Sequence, residues 1–330
     1  MNPASVTFGI FADIHTEIMP DGKKRLAAFL DACEKEQVDF IIQLGDFYYP
    51  SHRSPLKCPP EQTPVNVAYA LHAGNLSEGE EIFQLFRSCP IPHYSVLGNH
   101  DLDFWNKEEA IHALDMPAPY YSFTANGFHF IVLDGNWYRD SSGIFHPYDH
   151  GDYFACKSNE LPWLDPQQLD WLENELNKIQ GPVVIFSHQS LHDQLYAIHN
   201  HNLLHQLLRQ KAQRDGNLVV SINGHNHIDH IVQKDQVWYW NLNSMSNCWL
   251  GEDFATERYG AQTDNAYPNV RYTVPYQEPL FAIAVLNNNT LEITGRESCF
   301  IGPSPDELGF PANRTFAPVS AKVSSFTISV

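Results

Sequence analysis

Five apolar runs along the chain each end, on their C-terminal side, in side chains able to bind a metal. "VTFGIFA" at 6–12 leads into Asp13 and His15, and "DFIIQL", ending at Leu44, leads into Asp46. "HYSVL" at 93–97 leads into Asn99 and His100, "VVIFS" into His188, and "LVVSIN" into His225 and His227. Short runs of this kind read as buried strands. Leu26, Phe29, Leu30 and Cys33 recur at helical spacing between the first two runs, predicting a strand, helix, strand unit. In open α/β sheets, sites assemble at the carboxyl ends of strands, so these residues are predicted to meet in one crevice.

Further helical patterns fall around Glu78 to Ser88, near 107–114 and around 199–213. "YYSFT" and "FHFIVL", separated by Ala125, Asn126 and Gly127, read as a hairpin. Asp165, Pro166 and Gln168 read as a helix start, with a capping acid, Pro at the first helical position and Gln in the capping-box place, for a helix to about Ile179. Hairpin strands near 230–241 and a last pair near 280–294 follow. Strands alternate with helices in the first half and hairpins dominate the rest, which predicts mixed sheets packed in layers with helices. No repeat or composition break divides the chain, so one domain over residues 1–330 is expected.

Two segments lack a period. Residues 134–163 carry Trp137, Tyr138, Phe145, Tyr148, Tyr153, Phe154 and Trp163, an aromatic-rich insertion that reads as a lid. From about residue 300 a Pro-containing, irregular C-terminal extension is expected.

The chain has 330 residues, with Lys+Arg 20 against Asp+Glu 39 and a formal charge of −19. Such a surface repels nucleic-acid backbones and anionic membranes, so a small molecule rather than a nucleic-acid polymer or a membrane is the expected partner. An anionic substrate would need a local reversal of the field, for which bound cations are the natural source. The six cysteines (Cys33, Cys58, Cys89, Cys156, Cys248, Cys299) form no C-x-x-C pair and read as reduced thiols. "MNPASVTFGIFADIH" has no basic leader-like start, and no apolar run approaches the length of a membrane span, so a cytoplasmic location is expected.

Carboxylate, imidazole and amide ligands without cysteine suit Mn, Fe or Zn and argue against a structural zinc knot. Asp13, His15, Asp46, Asn99, His188, His225 and His227 are too many for one ion; they suffice for two if one carboxylate, Asp46, is shared. Gly45, Gly98 and Gly224 precede ligands and are expected to allow tight turns there.

The ordered set Asp13-Ile14-His15, Gly45-Asp46, Gly98-Asn99-His100-Asp101, His188 and Gly224-His225-Asn226-His227 resembles the calcineurin-like metallophosphoesterase family. The resemblance covers residues 6 to about 245. It implies a four-layer α/β/β/α sandwich of two mixed β-sheets flanked by helices, and hydrolysis of phosphate esters by metal-bound hydroxide. Carried over, one metal would be held by Asp13, His15, Asp46 and His227, the other by Asp46, Asn99, His188 and His225. His100 would work beside the leaving group as acid or transition-state stabiliser, oriented by Asp101.

Departures narrow the branch. Phosphoprotein phosphatases of the family carry Arg before G-N-H and a G-D-x-V-D-R-G element, whereas here Leu97 precedes Gly98 and Phe47-Tyr48-Tyr49 follows Asp46. The manganese-dependent ADP-ribose pyrophosphatase branch has Gln at the place of His15. Tyr49 matches the G-D-x-x-Y of purple acid phosphatases, whose tyrosine binds Fe(III) but which typically lack a His at position 15; here His15 is taken as ligand and Tyr49 as second-layer residue or pocket wall. A phosphodiesterase on a small organic or nucleotide substrate is the favoured reading. A phosphomonoesterase is the alternative and a non-catalytic scaffold a remote one. His146, Asp149 and His150 are candidates to reach the substrate from the lid. Trp137, Tyr138, Asn247 and Trp249 are candidates to line the pocket, and His201 with His205 could form a second metal-binding pair.

Overall fold

The computed structural model describes residues 5–49, 77–103, 105–194, 196–288 and 290–330. Cys58 lies outside them; Cys33, Cys89, Cys156, Cys248 and Cys299 are free thiols.

Each predicted apolar run becomes a strand, and the strands form two six-stranded sheets. The first is ordered β16 (Phe326–Ser329), β15 (Thr290–Thr294), β14 (Ala282–Asn287), β1 (Ser5–Phe11), β2 (Phe40–Gln43) and β3 (His93–Ser95). The second is ordered β10 (His230–Lys234), β11 (Val237–Asn241), β9 (Val219–Asn223), β8 (Val183–Ser187), β5 (Phe128–Val132) and β4 (Tyr121–Ala125). Within these mixed sheets β1, β2 and β3 are mutually parallel, as are β5, β8, β9 and β11. The five strands that lead into the metal-capable clusters are β1, β2, β3, β8 and β9, and all belong to the parallel sets.

Aromatic residues join the sheets. Phe8 stacks on Phe40 at 5.0 Å and meets Phe130 and Phe186 of the second sheet edge-on at 5.7 and 6.0 Å. Truncating such a fully buried ring costs about 3–5 kcal/mol. Leu26 and Phe29 of α1 (Gly22–Lys35) and Phe83 and Phe86 of α2 (Ser77–Arg87) join this core. On the opposite side, Leu172 and Leu176 of α4 (Pro166–Lys178) and Leu204 and Leu208 of α5 (His201–Asp215) pack with Val183, Ile185 and Val219. The layers therefore run helix, sheet, sheet, helix. Two further short helices among the described residues are α3 (Lys107–Ala113) and α6 (Ala261–Ala266). No helix among the described residues is long and apolar enough to cross a membrane.

Three details depart from the sequence expectation. The extension after residue 300 is not wholly irregular, because β16 closes an edge of the first sheet by pairing with β15. The aromatic insertion contains a hairpin, β6 (Trp137–Arg139) with β7 (Phe145–Pro147), too short to show a period. Asp165 does cap α4, accepting from the N–H groups of Gln167 and Gln168, but Gln168 completes no capping box. Its amide is buried and instead bonds both the N–H and the carbonyl of Asp134, fixing the start of the insertion.

Candidate metal centre

The carboxyl ends of the five strands converge where the two sheets meet. Asp13, His15 and His227 bring ligand atoms within 4.8 Å of one another, as do Asp46, His188 and His225. His15 Nε2 lies 3.2 Å from His227 Nε2, and His227 Nε2 lies 3.4 Å from Asp13 Oδ1. In the second group His188 Nε2 is 3.2 Å from both Asp46 Oδ2 and His225 Nδ1. The groups adjoin, since Asp46 Oδ2 is also 3.9 Å from His15 Nε2, and Asp13 Oδ1 is 3.9 Å from His188 Nε2.

The backbone aims these atoms. Asp13, His15, Asp46, His225 and His227 all have left-handed φ values, between 49° and 68°. Each such non-glycine residue costs about 1 kcal/mol or more and persists only where its surroundings enforce it. Enforcement comes from hydrogen bonds between loops: Asp13 N–H donates to the carbonyl of Gly45, His15 N–H to that of Asp46, and His225 N–H to the Asp13 carboxylate. The segment 244–246, which carries no local sequence signal, holds the first loop from the other side. There Ser244 and Ser246 hydroxyls donate to the carbonyls of Asp13 and Ile14, and Met245 N–H to that of Ala12.

Gly45 turns the chain as expected, whereas Gly98 and Gly224 act differently. Only Gly45 has a positive φ, at 95°. A side chain on Gly98 would collide with the backbone N and Oδ1 of Asp46, and one on Gly224 would sit 2.6 Å from Asp13 Oδ2. Those two glycines admit a ligand's carboxylate against the backbone rather than a special turn.

The imidazoles are pre-set as ligands. His188 Nδ1–H donates to the Leu44 carbonyl at 2.7 Å and His227 Nδ1–H to the Asn247 carbonyl at 2.6 Å, which leaves Nε2 of each facing the cluster. Burial drives the His15 and His225 pKa values down to about 3, so both rings are neutral. Burial acts the same way on His188, but the Asp46 carboxylate outweighs it and raises His188 to about 9. Asn99 Oδ1 is buried without a hydrogen-bond partner while its Nδ2 donates to the Tyr153 hydroxyl at 3.3 Å. An orphaned amide oxygen together with two carboxylates and four imidazoles is the donor set a divalent cation completes.

His100 lies in the cavity wall next to the cluster, its ring 5.8 Å from that of His15. Asp101 does not orient it, contrary to the sequence expectation. The Asp101 carboxylate accepts the N–H groups of Asp46, Tyr48 and Gly98, tying two ligand loops together. Asp103 is the partner, with Oδ2 2.6 Å from His100 Nδ1, because residues 100–103 form one 3-10 turn that stacks positions three apart. Asp103 also accepts from the Tyr153 hydroxyl at 2.7 Å. Burial alone would lower the pKa of His100; the Asp103 and Asp46 carboxylates overcome it and hold the value above the ordinary one.

A cavity of about 920 Å³ opens over the cluster. Tyr49 and Trp249 line it: the Tyr49 ring packs edge-on to His15 at 5.4 Å, 4.5 Å from His100 and 5.3 Å from Trp249. The insertion contributes Tyr148, Tyr153 and Phe154 rather than its histidines. His146 is turned away to Asp140 and stacks on Tyr138, and His150 pairs with Asp149 and Glu109; neither lines the cavity, and their own acidic neighbours account for them. Trp137 lies against Lys107, and Asn247 serves through its backbone carbonyl. His201 and His205 form no second metal group: His205 bonds Tyr239 and Asp235, while His201 faces Asp193.

Among known proteins, the family described as calcineurin-like phosphoesterase matches residues 6–229. No curated protein matches the sequence significantly. Similar solved structures include a dimetal phosphatase from Danio rerio, with TM-score 0.59 and 17% identity over 92% of this chain and 100% of that one. Another is GAP50, the anchor in the inner membrane complex of Plasmodium, with TM-score 0.51 and 14% identity over 91% of this chain and 90% of that one. These likenesses extend to the fold. The family match spans every strand end that feeds the cluster, and on that ground the chain belongs to the calcineurin-like phosphoesterases, hydrolases of phosphate esters whose dimetal members use two metal ions.

Proposed function

We propose that this protein is a dinuclear phosphodiesterase for small organic esters. One cation would be held by Asp13, His15 and His227 and the other by Asn99, His188 and His225, with Asp46 shared between them. Bound there, two cations of the Mn, Fe or Zn type supply positive charge to the phosphoryl oxygens and an activated water. Asp103 holds His100 by Nδ1, which leaves Nε2 to give a proton to the departing oxygen.

The observation that carries the diester reading is the two-sided cavity. Near His100 the lining is Tyr49 and Phe154, at 4.5 and 6.2 Å; near His225 it is Tyr196, at 6.0 Å, and Gln194 and Asp193 also line the cavity. A phosphoryl group over the cluster would have room for a substituent on each side. Among the described lining residues Arg314 is the one Lys or Arg, which suits a singly charged diester better than a doubly charged monoester.

The test is kcat/KM, with Mn²⁺ supplied, on a chromogenic phosphodiester against the matching monoester. A ratio well above one supports the diester reading. A ratio well below one makes the protein a phosphomonoesterase.

A further inference from the structure

The flank around His100 differs in chemistry from the flank around His225. Phe154 and Trp249 are both half-buried and lean on one small cluster that includes Tyr49, Ile18 and Met19. The Phe154 ring lies 6.2 Å from His100 and 4.4 Å from Tyr153, on which it stacks; the Trp249 ring lies 6.5 Å from His15. The fully buried Tyr49 packs on His100 and Trp249 and forms the floor between them. No carboxylate or ammonium group belongs to this trio. The His225 flank instead carries Asp193, Gln194, His199 and His201. Arg314, the lone cationic Lys or Arg side chain among the described lining residues, is paired with Asp253 at 3.0 Å and lies over Phe254. It offers no open site for a second phosphate.

Resting on the proposed diesterase reading, we infer that the leaving alcohol is aromatic and uncharged, held between Phe154 and Trp249 above Tyr49. Aromatic faces gain from offset and edge-on contacts beyond simple area burial, and a cavity whose one Lys or Arg among the described lining residues is already paired gives little to a charged leaving group. In the step itself the oxygen of water bonds to phosphorus as the bond from phosphorus to the aryl-bearing oxygen breaks. That oxygen takes up a proton, and the other ester stays on the phosphate.

Benzyl methyl phosphate tests this by internal competition, since its two alcohols are of nearly equal acidity. With Mn²⁺-loaded enzyme in ¹⁸O-water, release of benzyl alcohol should exceed release of methanol at least about tenfold, with the label in the phosphate product. Phe154→Ala or Trp249→Ala should bring that ratio several-fold closer to one, with metal content reporting that each variant is folded. Equal release by the wild type, or a ratio unmoved in both variants, overturns the inference. Should neither alcohol appear, the diesterase reading fails by itself, and benzyl phosphate against methyl phosphate answers the remaining question. A kcat/KM preference of about tenfold for the benzyl ester supports the aromatic site there, and a ratio near one overturns it.

Discussion

His100 Nδ1 stands 2.6 Å from the Asp103 carboxylate, while the carboxylate of its immediate neighbour Asp101 turns away to accept three backbone N–H groups. Two acids two residues apart thus do different work: one sets the tautomer of an imidazole, the other knits ligand loops.

Asp103→Asn should therefore cut kcat by about 10²-fold, the usual scale for a disabled acid, and leave the metal content at that of the wild type. Asp101→Asn should lower metal content and thermal stability together, because it weakens two hydrogen bonds between the Asp46 and Gly98-Asn99 loops and one within the latter. Parallel measurement of kcat and metal content decides the assignment; the opposite pattern in the two variants would restore Asp101 as the orienting acid.

Gly98→Ala would drive a methyl group into Asp46, a collision of the kind that costs about 3 kcal/mol or more, and should also deplete bound metal. Gly127→Ala, in the β4–β5 turn, has φ +83° but open space around it, and should cost about 1–2 kcal/mol with metal content unchanged. Urea midpoints and elemental analysis of both variants separate strain from collision.

His188 carries a pKa of about 9 in the metal-free protein, where burial, which lowers it, is outweighed by the Asp46 carboxylate. At pH 7.5 the ring is protonated, yet a metal ligand must be neutral. Binding should release about one proton for the site that includes His188, and affinity should rise with pH until it passes about 9. Calorimetry in two buffers of different ionisation enthalpy reads this directly. Proton release near zero at pH 7.5 would mean that His188 is already neutral or is no ligand.

Much of the fold was legible because β2, β8 and β9 are buried along their whole length and β1 along most of it, and buried strands write themselves as largely apolar runs. The ligand positions followed from where those runs stop. What escaped was long-range. Nothing in "NSMSN" announces that Ser244 and Ser246 will brace the Asp13 loop, since a serine hydroxyl donating to a distant carbonyl has no local pattern. Asp103 escaped because the chain takes a 3-10 rather than an extended path after Asn99, a difference of a few dihedral angles. The lid histidines misled because polar residues in an irregular segment can satisfy one another, as His146 does with Asp140. Three aromatic residues of the same segment, Tyr148, Tyr153 and Phe154, line the cavity instead.

The central claim is a pair of cations sharing Asp46, and elemental analysis of wild type and Asp46→Ala after Mn²⁺ loading and buffer exchange tests it most directly. Two ions per wild-type chain and loss of both in the variant are the expected result. A wild type that holds a single ion, or an Asp46→Ala variant that keeps either one, would contradict it.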